Sequence, residues 1–358
     1  MKTARFEFRL PQRLIAKAPP DVRGERRDHA RLVVLDRHTQ RAEHRRFDEL
    51  GDYLRAGDVL VVNDSMVMQD ELVGETRDGP ATVILCGQHR DGWHVIIEPK
   101  ARAKRGAVVR VAGGALRVLL RKPVRVDGMW LARMTTTAAA REASLAELIE
   151  RHGMRHAENL AALGARRQSY QNVYARKPGS LEVPSAGLHF TPELLARLQD
   201  AGMVVAPITL HVGLTEMGAY RHIRAAEVED HSMTAEWYEV PPATARAINA
   251  AHRRDNRVVA VGTTVVRTLE TVAVEPRAGR DGRVATVKAG SGWTDLYLRP
   301  GHRFRIVDLM LTNLHQPRSS HLVLVAAFAG AELVTRTYRE LIRARYSFDL
   351  FGDSMLLI

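Results

Sequence analysis

Five apolar runs of strand length follow one another between Ala81 and Met134, and no helical period appears among them. They are Ala81 to Cys86, Trp93 to Ile97, Val108 to Val111, Leu116 to Leu120 and Met129 to Met134. Asp91-Gly92, Gly113-Gly114 and Asp127-Gly128 supply turn signals between them. Consecutive short strands joined by tight turns predict a small antiparallel barrel or sandwich. Whatever else the chain builds has to leave room for this unit.

On either side of it, strands and helices alternate. Upstream, Arg31 to Asp36 reads as a strand and Phe47 to Leu54 as a short helix. Gly57-Asp58 is a turn that launches Val59-Leu60-Val61-Val62, a run apolar enough for a buried strand. Asn63-Asp64-Ser65 then stand at the strand's C-terminal edge, where α/β proteins place ligand groups. Downstream, Ser144 and Glu147 fit a capping box, and Thr191-Pro192-Glu193 opens a helix that Gly202 ends. Val204 to Val212 reads as a strand and Pro242 to Arg254 as a helix. A strand is expected around Phe304 to Val307, and a helix over Tyr338 to Arg345. The simplest fold class is α/β. An α/β catalytic domain is formed from both ends of the chain (1–66 and 150–358), with an all-β barrel-like domain (67–149) inserted. At 358 residues the chain is long enough for both.

Within the α/β part, Val258 to Glu270 (VVAVGTTVVRTLE) reads as strand, tight glycine turn and helix. The first turn of a helix leaves backbone N–H groups unpaired, and the dipole makes that end slightly positive. Gly262 lets a ligand approach, while Thr263 and Thr264 add hydroxyls and Arg267 a nearby charge. Such an end suits a carboxylate, a phosphate or a ribose. An ordinary capped strand–helix junction has the same pattern.

Four further polar clusters stand beside apolar strands. Ser185, Gly187 and His189 lie in PSAGLHF, and Thr209 and His211 alternate in TLHVG. Asp230-His231 precedes Glu236, and Thr312, Asn313 and His315 fall in TNLHQPRSS. A single histidine of this kind is more often structural than catalytic, but several beside strand ends point to an active site. None forms an HExxH pair, so a metal site is not expected. No G-x-S-x-G elbow, Walker A or G-x-G-x-x-G is present.

Composition narrows the setting. One cysteine, Cys86, excludes a disulfide framework and fits a reducing compartment. Neither a secretory signal nor a membrane-length apolar run is found, so a cytoplasmic protein is expected. The net charge of +12, from 53 basic and 41 acidic residues, permits a nucleic-acid partner without showing one.

These segments, in this order, resemble the S-adenosylmethionine:tRNA ribosyltransferase-isomerase family of queuosine biosynthesis. The resemblance is carried by GDVLVVNDS, YQNVYARKPGS, PSAGLHFTPELLARLQDAG, ITLHVG, DHSMTAE, AVGTTVVRTLE, GWTDLYLRPGHRFRIVD, TNLHQPRSSHLVLVAAFAG and FGDSMLLI. It implies an α/β domain with an inserted β-barrel, S-adenosylmethionine as co-substrate, no metal, and a monomer. The implied activity moves the ribosyl part of S-adenosylmethionine onto 7-aminomethyl-7-deazaguanine at the tRNA wobble position, forming epoxyqueuosine. Adenine and methionine leave. The chain departs from the family's usual pattern at Met68 to Glu71, Met154 to Ala157, Leu214 to Met217, Thr234 and Ser347 to Phe351.

On this resemblance, Gly262, Thr263, Thr264, Arg267, Ser185, Gly187, Thr312 and Asn313 are expected to bind the co-substrate. Proton transfer needs a base of near-neutral pKa, for which His189, His211 and His315 are the candidates. Asp64, Glu236 and Asp353 are candidates to orient or stabilise charge. Lys100, Arg102, Lys104, Arg105, Arg166 and Arg167 are expected phosphate partners of a tRNA anticodon stem-loop. Two other readings stay open on sequence. One is a relative that uses S-adenosylmethionine with a small acceptor or as a lyase; the other is a catalytically silent RNA-binding protein.

Overall fold

The computed structural model describes residues 1–124, 128–137, 144–154, 167–213, 222–275 and 285–358. Among these, nine strands form one mixed sheet. Their order is Gly290–Thr294, Glu236–Val240, Val204–Leu210, Val59–Asn63, Val258–Val261, Leu309–Asn313, Ser354–Leu357, Arg31–Asp36 and Arg41–Arg46. The four strands from Val204–Leu210 to Leu309–Asn313 run parallel at its centre.

Both faces of this centre are covered, which is why its strands are continuously apolar instead of alternating. Val59, Val61, Val258 and Ala260 enter one core, and Leu60, Val62, Val259 and Val261 enter the other. The helices Pro242–Arg253, Thr263–Thr271 and Ser320–Ala329 bury Ile248, Leu269 and Leu322 in the first core. The helix Pro192–Asp200 and the 3-10 turn Phe47–Tyr53 bury Leu194 and Phe47 in the second. The helix leading into Val204–Leu210 therefore lies on one face. Those leading into and out of Val258–Val261 lie on the other. Val59–Asn63 sits between these two strands. Chain connections that leave to opposite faces open a crevice at the strands' C-terminal ends.

The inserted unit is a closed barrel. Glu71–Thr76, Gly79–His89, Gly92–Glu98, Met129–Thr136, Leu116–Pro123 and Val108–Val111 pair antiparallel in that order. The last strand returns to the first through Gly74 opposite Val111 and Glu75 opposite Arg110. At this closure only glycine fits, since a Cβ on Gly74 would lie 2.4 Å from the Arg110 carbonyl oxygen. Val83, Leu85, Val95, Val109 and Val118 fill the interior, joined by Met68, Ile149 and Leu181 from the flanking chain.

Two local expectations are corrected, and one strand joins the sheet that the sequence pattern does not mark. Phe304 to Val307 is not a strand: the N–H groups of Arg305, Ile306 and Val307 all donate to the buried Glu270 carboxylate, and pairing begins only at Leu309. Arg41–Arg46 is a strand although five of its six side chains are charged or titratable, because it is the sheet's outer edge and faces water. The Val204 strand ends at Leu210, so His211 lies just beyond it. Asp127, most of the loop after Glu275, Arg155-His156-Ala157 and Leu214 to Met217 lie outside the described residues.

Candidate active site

A pocket of about 540 Å³, open to solvent, sits at the C-terminal ends of Val258–Val261 and Leu309–Asn313. Glu182 to Ala186, Val212, Gly262 to Thr264, Thr312, Asn313, His315, His321, Asp349 and Leu350 line it.

The helix Thr263–Thr271 begins here with Gly262 at φ 91° and no side-chain cap. Gly262 donates its own N–H to Leu311 at 2.7 Å. Its carbonyl accepts from Val265 and Val266, so the amides of Thr263 and Thr264 begin the helix with no partner four residues back. Both threonines line the pocket. The Thr264 hydroxyl is held by Asn63 Nδ2 at 3.3 Å.

Asn313 forms the opposite wall and is 1% exposed. Its Nδ2 donates to the Leu350 carbonyl at 2.9 Å and approaches Ser185 Oγ at 3.4 Å. Its Oδ1 is buried and has no hydrogen-bond partner among the described residues. Three residues on, His315 Nε2 lies 2.9 Å from Thr312 Oγ1, and the His315 ring stacks on His321 at 5.1 Å. The His315 N–H donates to the Tyr338 hydroxyl at 3.2 Å, which fixes the backbone beneath the ring. Asp349 faces the same pocket at φ 76°, a strained conformation for a residue with a Cβ, and Gln316 Nε2 donates to its carboxylate at 2.5 Å.

Asn63, Asp64 and Ser65 lie together in the neighbouring crevice. Asn63 accepts from the Leu210 and Ser65 amides and donates to the Leu210 carbonyl, so one side chain ties two strand ends together. Asp64 accepts from Thr209 Oγ1 at 2.6 Å and lies 3.6 Å from Arg176. Ser65 Oγ lies 2.8 Å from His211 Nδ1. Burial pushes the His211 ring down to about 4.

The remaining candidates stand behind these walls. Gly187 makes space for Tyr174, since a Cβ there would lie 2.0 Å from the tyrosine hydroxyl. Arg267 points away from the pocket: it pairs with buried Glu236 and donates to the carbonyls of Leu296 and Thr294. Glu236 also accepts from the Gly213 N–H. Asp353 accepts from the Arg31 and Ser347 amides, and burial pushes its carboxyl up. His189 is fully buried against Phe47, with Nδ1 3.4 Å from the Arg27 carbonyl. The pocket therefore gathers Ser185, Gly262, Thr263, Thr264, Thr312, Asn313 and His315, and it adds Glu182, His321 and Asp349. No spacing in the sequence marks these last three, because each enters from a different segment.

Burial pushes His189 down from 6.5 to about 4, so the unfolded chain takes up its proton first as pH falls. Its contribution is fully present above pH 6.5 and is lost as pH falls towards 4. Urea unfolding at neutral and acid pH is expected to show a fall in stability, with up to about 3 kcal/mol from this ring. A His189→Gln variant should show a smaller fall.

The barrel carries a basic groove lined by Arg77, Arg102, Lys104, Arg105 and Arg110, with Asp78 as its acid. Lys100 begins the short turn Lys100–Arg102 beside it. Arg166 lies outside the described residues; Arg167 begins the turn Arg167–Tyr170, away from the barrel strands in sequence. Among the described residues no group of three or more His, Cys, Asp or Glu side chains is arranged around a metal position. No helix there is long and apolar enough to cross a membrane.

A family model described as queuosine biosynthesis protein matches residues 3–357. The S-adenosylmethionine:tRNA ribosyltransferase-isomerase of Moorella thermoacetica is 42% identical over 361 residues, covering 100% of both chains. The protein of the same name from Thermotoga maritima is 38% identical over 360 residues, again covering 100% of both. The crystal structure of S-adenosylmethionine tRNA ribosyltransferase from Thermotoga maritima covers 99% of this chain and 100% of that one, with a TM-score of 0.54 and 33% identity.

Proposed function

The chain belongs to the queuosine biosynthesis protein family, and from that premise we propose that it is an enzyme that transfers and isomerises the ribosyl part of S-adenosylmethionine on tRNA. The acceptor is 7-aminomethyl-7-deazaguanine at the wobble position, and the products are epoxyqueuosine-tRNA, adenine and methionine. The observation that carries this reading in the fold is the pocket itself. It sets the uncapped start of Thr263–Thr271 against Asn313 and His315, across the ends of parallel strands.

Within it, the amides and hydroxyls of Thr263 and Thr264 suit the methionine carboxylate or the ribose. Ser185, Thr312 and Asn313 complete the polar wall. In this reading His315 takes the proton next to the sulfonium, a role supported by its position on the pocket wall and its contacts with Thr312 and His321. Asp64, Glu236 and Asp353 hold strand ends and connections from behind. The same reading has the enzyme acting without a metal, as a monomer, in the cytoplasm.

Adenine release from S-adenosylmethionine tests the function. Release is expected only with tRNA carrying the aminomethyl base. Release without tRNA would overturn the acceptor, and none in either case would overturn the activity.

The tRNA is proposed to bind through its anticodon stem-loop, with the wobble base leaving its stack to reach the pocket. The basic groove of the barrel supports phosphate contacts. Stem-loop affinity is expected to weaken steeply between about 50 and 200 mM salt. A Lys100/Arg102/Lys104/Arg105→Ala variant should lower the slope of log affinity against log salt by about one per phosphate contact removed. Equal slopes would take this groove out of the RNA path.

A further inference from the structure

Val212 lines the pocket, and its N–H donates to Ser180 Oγ at 2.9 Å. Ser180 Oγ lies 2.6 Å from Ser65 Oγ, which lies 2.8 Å from His211 Nδ1. Three strand ends thus meet in one chain of hydrogen bonds. Ser65 and Ser180 are both 0% exposed, so no solvent completes them.

The protons in this chain can be counted. Ser180 Oγ accepts from Val212, and among the described residues its own proton has one acceptor within reach, Ser65 Oγ. The Ser65 proton is then left with His211 Nδ1. Nδ1 must accept, which places the ring's proton on Nε2. The reverse order, with Nδ1–H donating to Ser65 and Ser65 to Ser180, strands the Ser180 proton in a buried site. A buried donor left unpaired is disfavoured by about 1–3 kcal/mol. A charged ring meets the same obstacle, because it also carries a proton on Nδ1.

The ring has little freedom to escape this arrangement. It stacks on Trp237 at 4.9 Å and 19°. On the other side a Cβ on Gly179 would lie 2.5 Å from the ring's Cε1 and Nε2, so only a glycine passes there. The charged groups facing it, Lys177 and Glu239, are paired to each other at 2.8 Å. Among the described residues Nε2 has no hydrogen-bond partner, and His211 is half-buried.

We infer that Ser180 and Ser65 act as positioning residues that lock His211 as a neutral imidazole protonated on Nε2, so that beside the substrate pocket it is a hydrogen-bond donor and does not take the proton. Only the word substrate rests on the proposed function; the tautomer stands on the geometry alone.

Nitrogen-15 NMR of the imidazole groups tests it, with the His211 signals assigned by their loss in a His211→Gln variant. The expected spectrum has an unprotonated Nδ1, an N–H at Nε2 and no titration of this ring between about pH 5 and 8. In Ser65→Ala the ring is expected to populate both tautomers, because no serine proton is then left to claim Nδ1. Its turnover should fall about tenfold with the KM for S-adenosylmethionine unchanged, and Ser65→Thr should restore it. Ser180→Ala provides a second route should Ser65→Ala not fold. A wild-type ring protonated on Nδ1, or charged at pH 7, overturns the inference whether or not the protein shows activity. Missing activity together with the expected spectrum would instead count against the proposed function.

Discussion

A His315→Ala variant is expected to lose about 10²- to 10⁴-fold in turnover, the usual contribution of a positioned proton acceptor. That corresponds to roughly 3–5 kcal/mol of barrier. Of the three candidate histidines, His315 alone lines the pocket. It is held there by Thr312 Oγ1 at 2.9 Å, by stacking on His321 and by the backbone bond to Tyr338. Binding of S-adenosylmethionine, measured by calorimetry, should change little, because the methionine and ribose are assigned to Thr263, Thr264 and Asn313. His189→Gln and His211→Gln provide the comparison. The first should act on stability, and the second should retain a larger share of turnover than His315→Ala. Near-normal adenine release from His315→Ala would remove it as the base.

The second large effect is on folding. Arg267→Met is expected to destabilise the protein by about 3–5 kcal/mol, because it leaves the Glu236 carboxylate buried without its charge partner. Both side chains are about 5% exposed. The arginine also satisfies the carbonyls of Leu296 and Thr294, and Glu236 also holds the Gly213 amide. Guanidinium chloride unfolding should show a lower midpoint with an unchanged slope. A Glu236→Leu/Arg267→Met double variant should recover much of the loss, since two apolar groups of similar volume leave no orphaned charge. Should Arg267→Met instead weaken S-adenosylmethionine binding at unchanged stability, Arg267 would contact the ligand after all.

The two predictions also mark where the sequence is readable. Local pattern suffices for Val59–Asn63, for Gly262 and the helix after it, and for the barrel runs, because burial on both faces or a tight turn leaves its signature in adjacent residues. Long-range pairing leaves no such mark. Arg267 beside a glycine turn reads as a ligand contact until Glu236, thirty-one residues away, is seen to neutralise it. Glu270 hides the same way: its carboxylate gathers the amides of Arg305, Ile306 and Val307 and turns an apparent strand into a loop. His321 looks like one polar residue at the head of the apolar helix Ser320–Ala329, and only the fold lays it on His315. The run Ser347 to Phe351 departs from the family pattern in sequence, yet Phe348 is a fully buried core residue beside Tyr338, and Asp349 reaches the pocket.

The position of Val59–Asn63 has a consequence for synthesis on the ribosome. This strand emerges early, but its partners Val204–Leu210 and Val258–Val261 are made only after the whole barrel. At about 5–20 residues per second, the nascent chain carries four consecutive apolar side chains unpaired for several seconds or more. The barrel, whose strands follow one another closely, can close in that interval and hold the two halves of the future sheet near each other. Loosening its closure at Gly74 should therefore lower the yield of folded protein in cells more than it lowers the stability of molecules that have already folded.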